Sequence, residues 1–211
     1  MARYKLTYFD FSGGRGEECR LALHLAGEPF DDDRLPRDEW AKRKATTPYG
    51  SVPVLTVDGK GELAQSNAIL SFLGRAHGLL PTDAWEAARH ESCMGAVEDF
   101  RAQLDPMSRI ADAAEKQTAR EAFASGYLRT WSAAVECQIS ASTGPQGPPP
   151  GPFFGGARIS VADLKLYIIM KSIKSGGIDH VPVTAFDEYA ALSRLYEAVD
   201  THAAVSAWTA R

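Results

Sequence analysis

The side chains that could carry chemistry in this chain begin with hydroxyl and thiol groups near its start. Tyr8 closes an aromatic run with strand-like alternation, Ser12 stands in a Gly-rich turn, and Cys19 lies about one turn into the segment that follows. A hydroxyl can donate a hydrogen bond to an anion, and a cysteine that ionises is a nucleophile. Each of the three is therefore a candidate for anion stabilisation or nucleophilic chemistry. Packing is the alternative for Tyr8 and Cys19, and a turn residue at a helix entry is the alternative for Ser12.

The elements that must position these groups change period repeatedly over the first eighty residues. Alternation of apolar and polar residues, with a hairpin signal at Asp58-Gly59, predicts four strands, over residues 3–9, 28–35, 52–57 and 62–64. Helical period predicts three helices, over residues 15–25, 38–45 and 66–77. Ser66 is expected to cap the last of these. This order of elements is that of a thioredoxin-like α/β domain.

Pro53 is a further candidate because it stands inside a predicted strand, where it removes a ladder hydrogen bond. In the thioredoxin-like fold the residue before such a proline offers its backbone groups to an extended thiol ligand, and the bond between the two is usually cis. We therefore expect a cis bond between Val52 and Pro53. An ordinary proline on an edge strand is the alternative.

Helical period dominates the rest of the chain and predicts an all-α C-terminal domain. We place the two domains at residues 1–79 and 83–211. Ser160 to Asp163 has the form of a capping box, and the apolar run after it predicts a buried helix. The Gly- and Pro-rich segment 144–152 is expected to be a loop. Two apolar stripes are predicted, one at Val97, Phe100, Leu104 and Met107 and the other at Phe123, Tyr127, Trp131 and Val135.

Composition excludes several classes of function. A net charge of -4 argues against nucleic acid as the main partner, since phosphate binding needs a basic face. The sequence holds no run of 18 apolar residues, so no membrane-spanning helix is expected. Three widely spaced cysteines, with no Cys-x-x-Cys pair, predict reduced thiols in the cytoplasm and no metal site.

Several motifs together resemble one family. They are Tyr4-Lys5-Leu6-Thr7-Tyr8-Phe9, Trp40, Pro48-Tyr49-Gly50-Ser51-Val52-Pro53-Val54-Leu55, Val57-Asp58-Gly59 and Gln65-Ser66-Asn67-Ala68-Ile69. In this combination the sequence closely resembles the sigma class of cytosolic glutathione transferases, which includes haematopoietic prostaglandin D synthase and the lens S-crystallins. The match covers residues 3–77 and continues more weakly through residues 98–100, residues 160–163 and Trp208.

The resemblance implies a function and a set of site residues. It implies a homodimeric transferase that conjugates glutathione, its co-substrate, to small hydrophobic electrophiles. Tyr8 would hold the sulfur as a thiolate, with Arg15 nearby, and Asp99 would reach the glutathione of the other subunit. Phe11, Arg101 and Met107 would line the electrophile pocket. The remaining residues implied to bind glutathione are Trp40, Lys44, Ser51, Val52, Pro53, Gln65 and Ser66.

Alternatives stay open at two levels. Ser12 stands where serine-type transferases place their hydroxyl, and Cys19 could form a mixed disulfide as in cysteine-type enzymes. At the level of function, the same thiolate serves glutathione-dependent isomerases and peroxidases, and a binding protein could retain the fold without turnover. Intact Tyr8, Trp40, Gln65 and Ser66 favour catalysis, because a chain that no longer catalyses is free to lose them.

Overall fold

The computed structural model describes residues 3–141 and 151–210, which form two compact units. The first unit runs to Ala87 and includes the chain from His202 onward, and the second unit is Ala88–Thr201. Residues 202–210 were expected in the C-terminal domain, so their grouping with the first unit was not foreseen. The predicted domain boundary at residues 79–83 stays a prediction. Most of the predicted Gly/Pro loop, residues 144–150, lies outside the described residues.

The strands and helices follow the predicted order. The strands are β1 (Tyr4–Phe9), β2 (Phe30–Leu35), β3 (Val54–Val57) and β4 (Gly61–Ala64). The helices are α1 (Gly14–Leu25), α2 (Trp40–Arg43), α3 (Ser66–His77), α4 (Ala84–Leu104), α5 (Ala113–Ser125), α6 (Tyr127–Ala141), α7 (Val161–Lys174), α8 (Ala190–Asp200) and α9 (Ala203–Thr209).

The first unit is built on one four-stranded sheet in the order β2-β1-β3-β4. β1 is parallel to β2 and antiparallel to β3, and β3 is antiparallel to β4. Tyr4, Leu6 and Tyr8 of β1 are buried, because alternate side chains of a strand share one face. Helices α1 and α3 pack on each other, and α9 packs on α1. The predicted thioredoxin-like order, βαβ followed by ββα, is confirmed.

The centre of the second unit is α7, whose residues are buried on almost every side. The predicted capping box is present. Asp163 accepts hydrogen bonds from the backbone N–H of Ser160 at 2.8 Å and from its hydroxyl at 2.6 Å. It also accepts one from the backbone N–H of Phe154 at 2.7 Å. Burial raises the pKa of the Asp163 carboxyl to about 6, against the lowering effect of these bonds.

Both predicted apolar stripes need correction. α4 ends at Leu104, so Met107 lies beyond it in a 3-10 turn, because Pro106 lacks an N–H and cannot extend a helix. Gly126, with φ −108° and ψ −91°, separates α5 from α6, so Phe123 lies on a different helix from Tyr127. The rings of Phe123 and Tyr127 nevertheless stack, with centroids 5.9 Å apart. Among the helices described, none has both the length and the apolarity that crossing a bilayer requires.

Candidate glutathione site

Three strands of the first unit reach the same edge of the sheet in one register. Thr7 of β1 pairs with Val54 of β3, and Val54 pairs with Ala64 of β4. β1 leads from this edge into α1, and β4 leads from it into α3. Two helix N-termini therefore begin close to one edge, where their unpaired N–H groups favour negative charge.

The Val52–Pro53 bond lies at this edge, immediately before β3, and it is cis as predicted. Pro53 is buried, whereas Ser51 and Val52 are half-buried. A 3-10 turn, Pro48–Gly50, precedes them. The backbone around Val52 is therefore held beside the ends of β1 and β4.

Tyr8 lies against the first turn of α1. A Cβ built on Gly14 would lie 2.7 Å from the Tyr8 Oη, and one built on Gly16 would collide with the Tyr8 ring. The hydroxyl is therefore beside the N-terminal turn of the helix, and half-buried Arg15 stands in that turn. The Phe11 ring is 5.5 Å from the Tyr8 ring, and Phe11 is 37% exposed.

The two rival residues lie in different surroundings. Ser12 is exposed in the turn before α1. Cys19 is fully buried in α1, and its thiol donates to the Arg15 carbonyl oxygen at 3.4 Å. Burial supports a packing role for Cys19.

The contact between Gly16 and Tyr8 leads to a prediction. We expect Gly16→Ala to lower the glutathione-dependent rate by about tenfold, because the added methyl must push the Tyr8 ring away from α1. Steady-state kinetics with purified protein would measure this. Within the described chain, a methyl at Gly95 of α4 meets open space, so Gly95→Ala is the matched control and should keep the wild-type rate. Equal rates for wild type and Gly16→Ala would show that the ring position does not matter.

Gln65 has an unusual backbone at the entry to α3. The helix begins at Ser66 itself, so Gln65 occupies the capping position predicted for Ser66. Its φ is 73°, a region that non-glycine residues rarely adopt and that costs of order 1–3 kcal/mol. The exposed Gln65 and the buried Ser66 thus meet the N-terminus of α3 in a conformation of the kind found at binding sites.

Trp40 and Lys44 follow β2, whose last residue Leu35 pairs with Phe9 at the end of β1. The Trp40 ring packs edge-to-face on the Phe9 ring with centroids 5.5 Å apart. Lys44 is exposed, and its Cε lies 3.5 Å from where a Cβ of Gly50 would stand. The predicted glutathione-binding residues of the first unit therefore come from segments that end or begin at one edge of the sheet.

The other predicted site residues belong to the second unit. Asp99 is exposed on α4, and Met107 is half-buried. Arg101 is buried, with its guanidinium donating to Glu98 Oε1 at 3.1 Å, and the Lys165 Nζ donates to the same oxygen at 2.5 Å. Arg101 thus takes part in a partly buried ion pair, and its role as a pocket wall stays a prediction.

Three buried charged residues were not foreseen, namely Glu17, Arg20 and Lys165. For the first two there was a signal: Glu17 and Arg20 are three residues apart on a helix, the spacing of an ion pair, in a segment that must face the sheet. The part of the chain that the structure describes holds no group of three or more His, Cys, Asp or Glu placed to bind a metal ion.

Comparisons with known proteins agree with this fold. A model of the glutathione S-transferase N-terminal domain matches residues 16–76, and a model of the C-terminal domain matches residues 98–211. Glutathione S-transferase 1 of Ascaris suum is 46% identical over 110 residues, about half of each chain (52%). Probable glutathione S-transferase 9 of Caenorhabditis elegans is 34% identical over 148 residues, 68% of this chain and 71% of the relative.

Solved structures resemble the whole described chain. The prostaglandin synthase D of Nilaparvata lugens has a TM-score of 0.83 at 29% identity, covering 99% of this chain and 97% of that one. The glutathione S-transferase of Ascaris lumbricoides has a TM-score of 0.82 at 32% identity, covering 99% and 96%. Fold and sequence therefore define a thioredoxin-like domain followed by a helical domain. The chain belongs to the glutathione S-transferase family of enzymes, as the resemblance implied.

Proposed function

We propose that the protein conjugates the thiolate of glutathione to small hydrophobic electrophiles and that the Tyr8 hydroxyl stabilises the thiolate. The observation that carries the proposal is the place of this hydroxyl. It lies beside the N-terminal turn of α1, at the sheet edge that also holds the cis Val52–Pro53 bond and the start of α3.

The groups at this site can supply the free energy that thiolate stabilisation requires. A free thiol has a pKa of about 8.5, so only a few per cent is thiolate at neutral pH. Lowering that pKa by about two units requires roughly 2.7 kcal/mol of preference for the anion. A phenol hydroxyl that donates to sulfur supplies part of this, and a helix N-terminus with a nearby guanidinium supplies the rest. Tyr8, the first turn of α1 and Arg15 are the groups available for these roles.

The tripeptide would lie along the sheet edge. The indole N–H of Trp40 and the ammonium of Lys44 suit the glycine carboxylate, and the backbone of Val52 suits the cysteinyl unit. Gln65 and Ser66 would hold the γ-glutamyl end, with its carboxylate on the N-terminus of α3. The positive φ of Gln65 supports this assignment, because a strained non-glycine residue is retained where it serves a site.

A second candidate activity is a glutathione-dependent isomerisation. It is favoured by two similar proteins named as prostaglandin D synthases, from Nilaparvata lugens and, at 38% identity over 116 residues, from Gallus gallus. Phe11, beside Tyr8 and 37% exposed, would contact the second substrate in either case. Purified protein assayed with glutathione against electrophiles, peroxides and isomerisable endoperoxides separates these activities. Failure to turn over any of them would leave a binding protein and reject the proposal.

We also propose a cytoplasmic homodimer. The described residues include all three cysteines as thiols, which suits a reducing compartment. Asp99 is an exposed carboxylate on α4, and in the proposed dimer it would accept a charge-assisted hydrogen bond from the amine of the partner's glutathione.

This arrangement predicts that Asp99→Ala weakens glutathione affinity by at least about tenfold, since a hydrogen bond to a charged group is worth about 1.5–3 kcal/mol. Isothermal titration would measure the affinity for glutathione. Sedimentation should give twice the monomer mass for the wild type and for Asp99→Ala. Asp112→Ala, which removes another exposed carboxylate from the same unit, is the control and should not change affinity. A monomer with full glutathione affinity would contradict the shared site.

A further inference from the structure

Arg20, a buried charged residue, lies close to the Tyr8 ring. Arg20 of α1 is fully buried, and its guanidinium donates to the carbonyl oxygens of Phe9 at 3.2 Å and Phe11 at 3.0 Å. It also donates to Glu17 Oε2 at 3.2 Å and to Asp32 Oδ1 at 2.8 Å. All these residues belong to the first unit.

The acceptors of Arg20 relate it directly to Tyr8. The two carbonyl groups belong to the residue after Tyr8 and to the turn that leads into α1, so Arg20 holds the backbone that carries the tyrosine. The guanidinium carbon also lies 5.7 Å from the centroid of the Tyr8 ring. A buried guanidinium needs its charge compensated and its donors satisfied, and its rigid fork of donors fixes several acceptors at once. The position of the Tyr8 hydroxyl therefore depends on that of Arg20.

Arg20 is in turn connected to α9. The Trp208 indole N–H donates to Glu17 Oε1 at 2.6 Å, while the other oxygen of Glu17 accepts from Arg20. The Trp208 ring packs against the rings of His24 and Phe30, with centroids 5.3 Å and 6.0 Å away. Glu17 is buried, so the N–H of Trp208 satisfies a carboxylate oxygen that has little access to water.

The charges around Arg20 nearly cancel. Glu17 faces it from α1 and Asp32 faces it from β2, and the other oxygen of Asp32 accepts from Arg34 at 2.8 Å. Arg34 also pairs with Asp10 at 3.2 Å. Two guanidinium groups thus face three carboxylates, so the network adds no net positive charge near Tyr8, and its effect on Tyr8 is one of position.

We propose that Arg20 is a positioning residue for Tyr8 and that Trp208, acting through Glu17, holds Arg20 in place. The inference rests on the proposed role of Tyr8 in thiolate stabilisation. It makes α9, whose residues were not foreseen as part of the site, an element of the catalytic machinery of the first unit. A stabilising hydrogen bond depends steeply on distance and angle, so loosening this network weakens the bond from the Tyr8 hydroxyl to sulfur.

The first test is Trp208→Phe, which keeps an aromatic ring on His24 and Phe30 and removes the N–H. We expect kcat to fall roughly threefold to tenfold, as for one lost hydrogen bond to a charged group, while the KM for glutathione changes by less than about twofold. The pH at which bound glutathione ionises, followed by thiolate absorbance, should rise. Trp85→Phe makes the same substitution at a 73% exposed position and should leave all three quantities unchanged.

A double-mutant cycle separates a positioning role from a general one. If Trp208 acts through Tyr8, Trp208→Phe has no further effect on kcat in a Tyr8→Phe background. Equal losses in both backgrounds, or unchanged kinetics and thiol ionisation in the single variant, would overturn the inference. If Tyr8→Phe alone is silent, the proposed function fails first, and the inference fails with it.

A second variant tests the network in case Trp208→Phe does not fold. Glu17→Gln keeps an acceptor for Trp208 and removes the charge that faces Arg20, and it should reproduce the rise in thiol ionisation pH. Thermal unfolding shows the temperatures at which each variant remains folded, and the assays are run within that range. A folded Glu17→Gln protein with wild-type kcat and thiol ionisation would reject the role of the network even if Trp208→Phe does not fold.

Discussion

Tyr8→Phe is expected to lower the conjugation rate by at least about tenfold and to raise the pH at which bound glutathione ionises by up to about two units. The substitution removes only the hydroxyl beside the first turn of α1 and keeps the ring packed on Gly16. The bound thiol then loses its hydrogen-bond donor, whereas the contacts proposed for the rest of the tripeptide remain. Glutathione affinity should therefore change little.

Two control variants make this experiment specific. Ser12→Ala removes the other nearby hydroxyl, and Cys19→Ala removes a thiol that is buried in α1. Both should keep most of the wild-type rate. A larger loss for Ser12→Ala than for Tyr8→Phe, or a mixed disulfide at Cys19, would transfer the catalytic assignment to that residue.

Asp163→Ala is expected to lower the free energy of unfolding by about 3–5 kcal/mol. The carboxylate accepts hydrogen bonds from two backbone N–H groups and one hydroxyl at the buried start of α7. Alanine leaves all three donors without their acceptor in a place that water reaches poorly. Asp112→Ala is the matched control, since Asp112 caps α5 at an exposed position, and it should cost only about 1 kcal/mol. Chemical denaturation measures both, and equal losses would contradict the importance of burial.

The raised pKa of Asp163 predicts that the free energy of unfolding depends on pH. Burial raises the pKa of Asp163 from 3.8 to about 6 in the folded chain. Its titration therefore contributes stability that is fully present below the unfolded value and is lost as the pH rises through about 6. The difference in unfolding free energy between wild type and Asp163→Ala should accordingly be larger near pH 4 than near pH 7. A difference that grows with pH would reject this assignment.

Local signals predicted much of this fold. The capping box of Ser160 and Asp163 can be read from two residues three apart, and the cis bond before Pro53 was expected from the thioredoxin-like order of the elements around it. Errors arose where a periodic pattern continued past a residue that breaks a helix. Pro106 ends α4 before Met107, and Gly126 divides α5 from α6. Both errors come from giving hydrophobic period more weight than backbone chemistry.

Contacts between distant residues could not be predicted in the same way. Arg20 of α1 meets Asp32 of β2, and Trp208 meets Glu17 from 191 residues away. Nothing local to Trp208 distinguishes an indole that donates to a carboxylate from one that only packs. Lys165 likewise reaches Glu98 from 67 residues away, whereas the pair of Glu98 and Arg101, three residues apart on α4, had a local signal.

The bond between Trp208 and Glu17 also has a consequence for how the protein is made. A ribosome adds roughly 5–20 residues per second, so Trp208 is synthesised roughly 10–40 s after Glu17. During that interval the second unit is being translated. Glu17, whose carboxylate is buried in the folded protein, does not yet have its indole partner. The carboxylate of Glu17 can therefore gain its bond from Trp208 only after α9 has emerged from the exit tunnel.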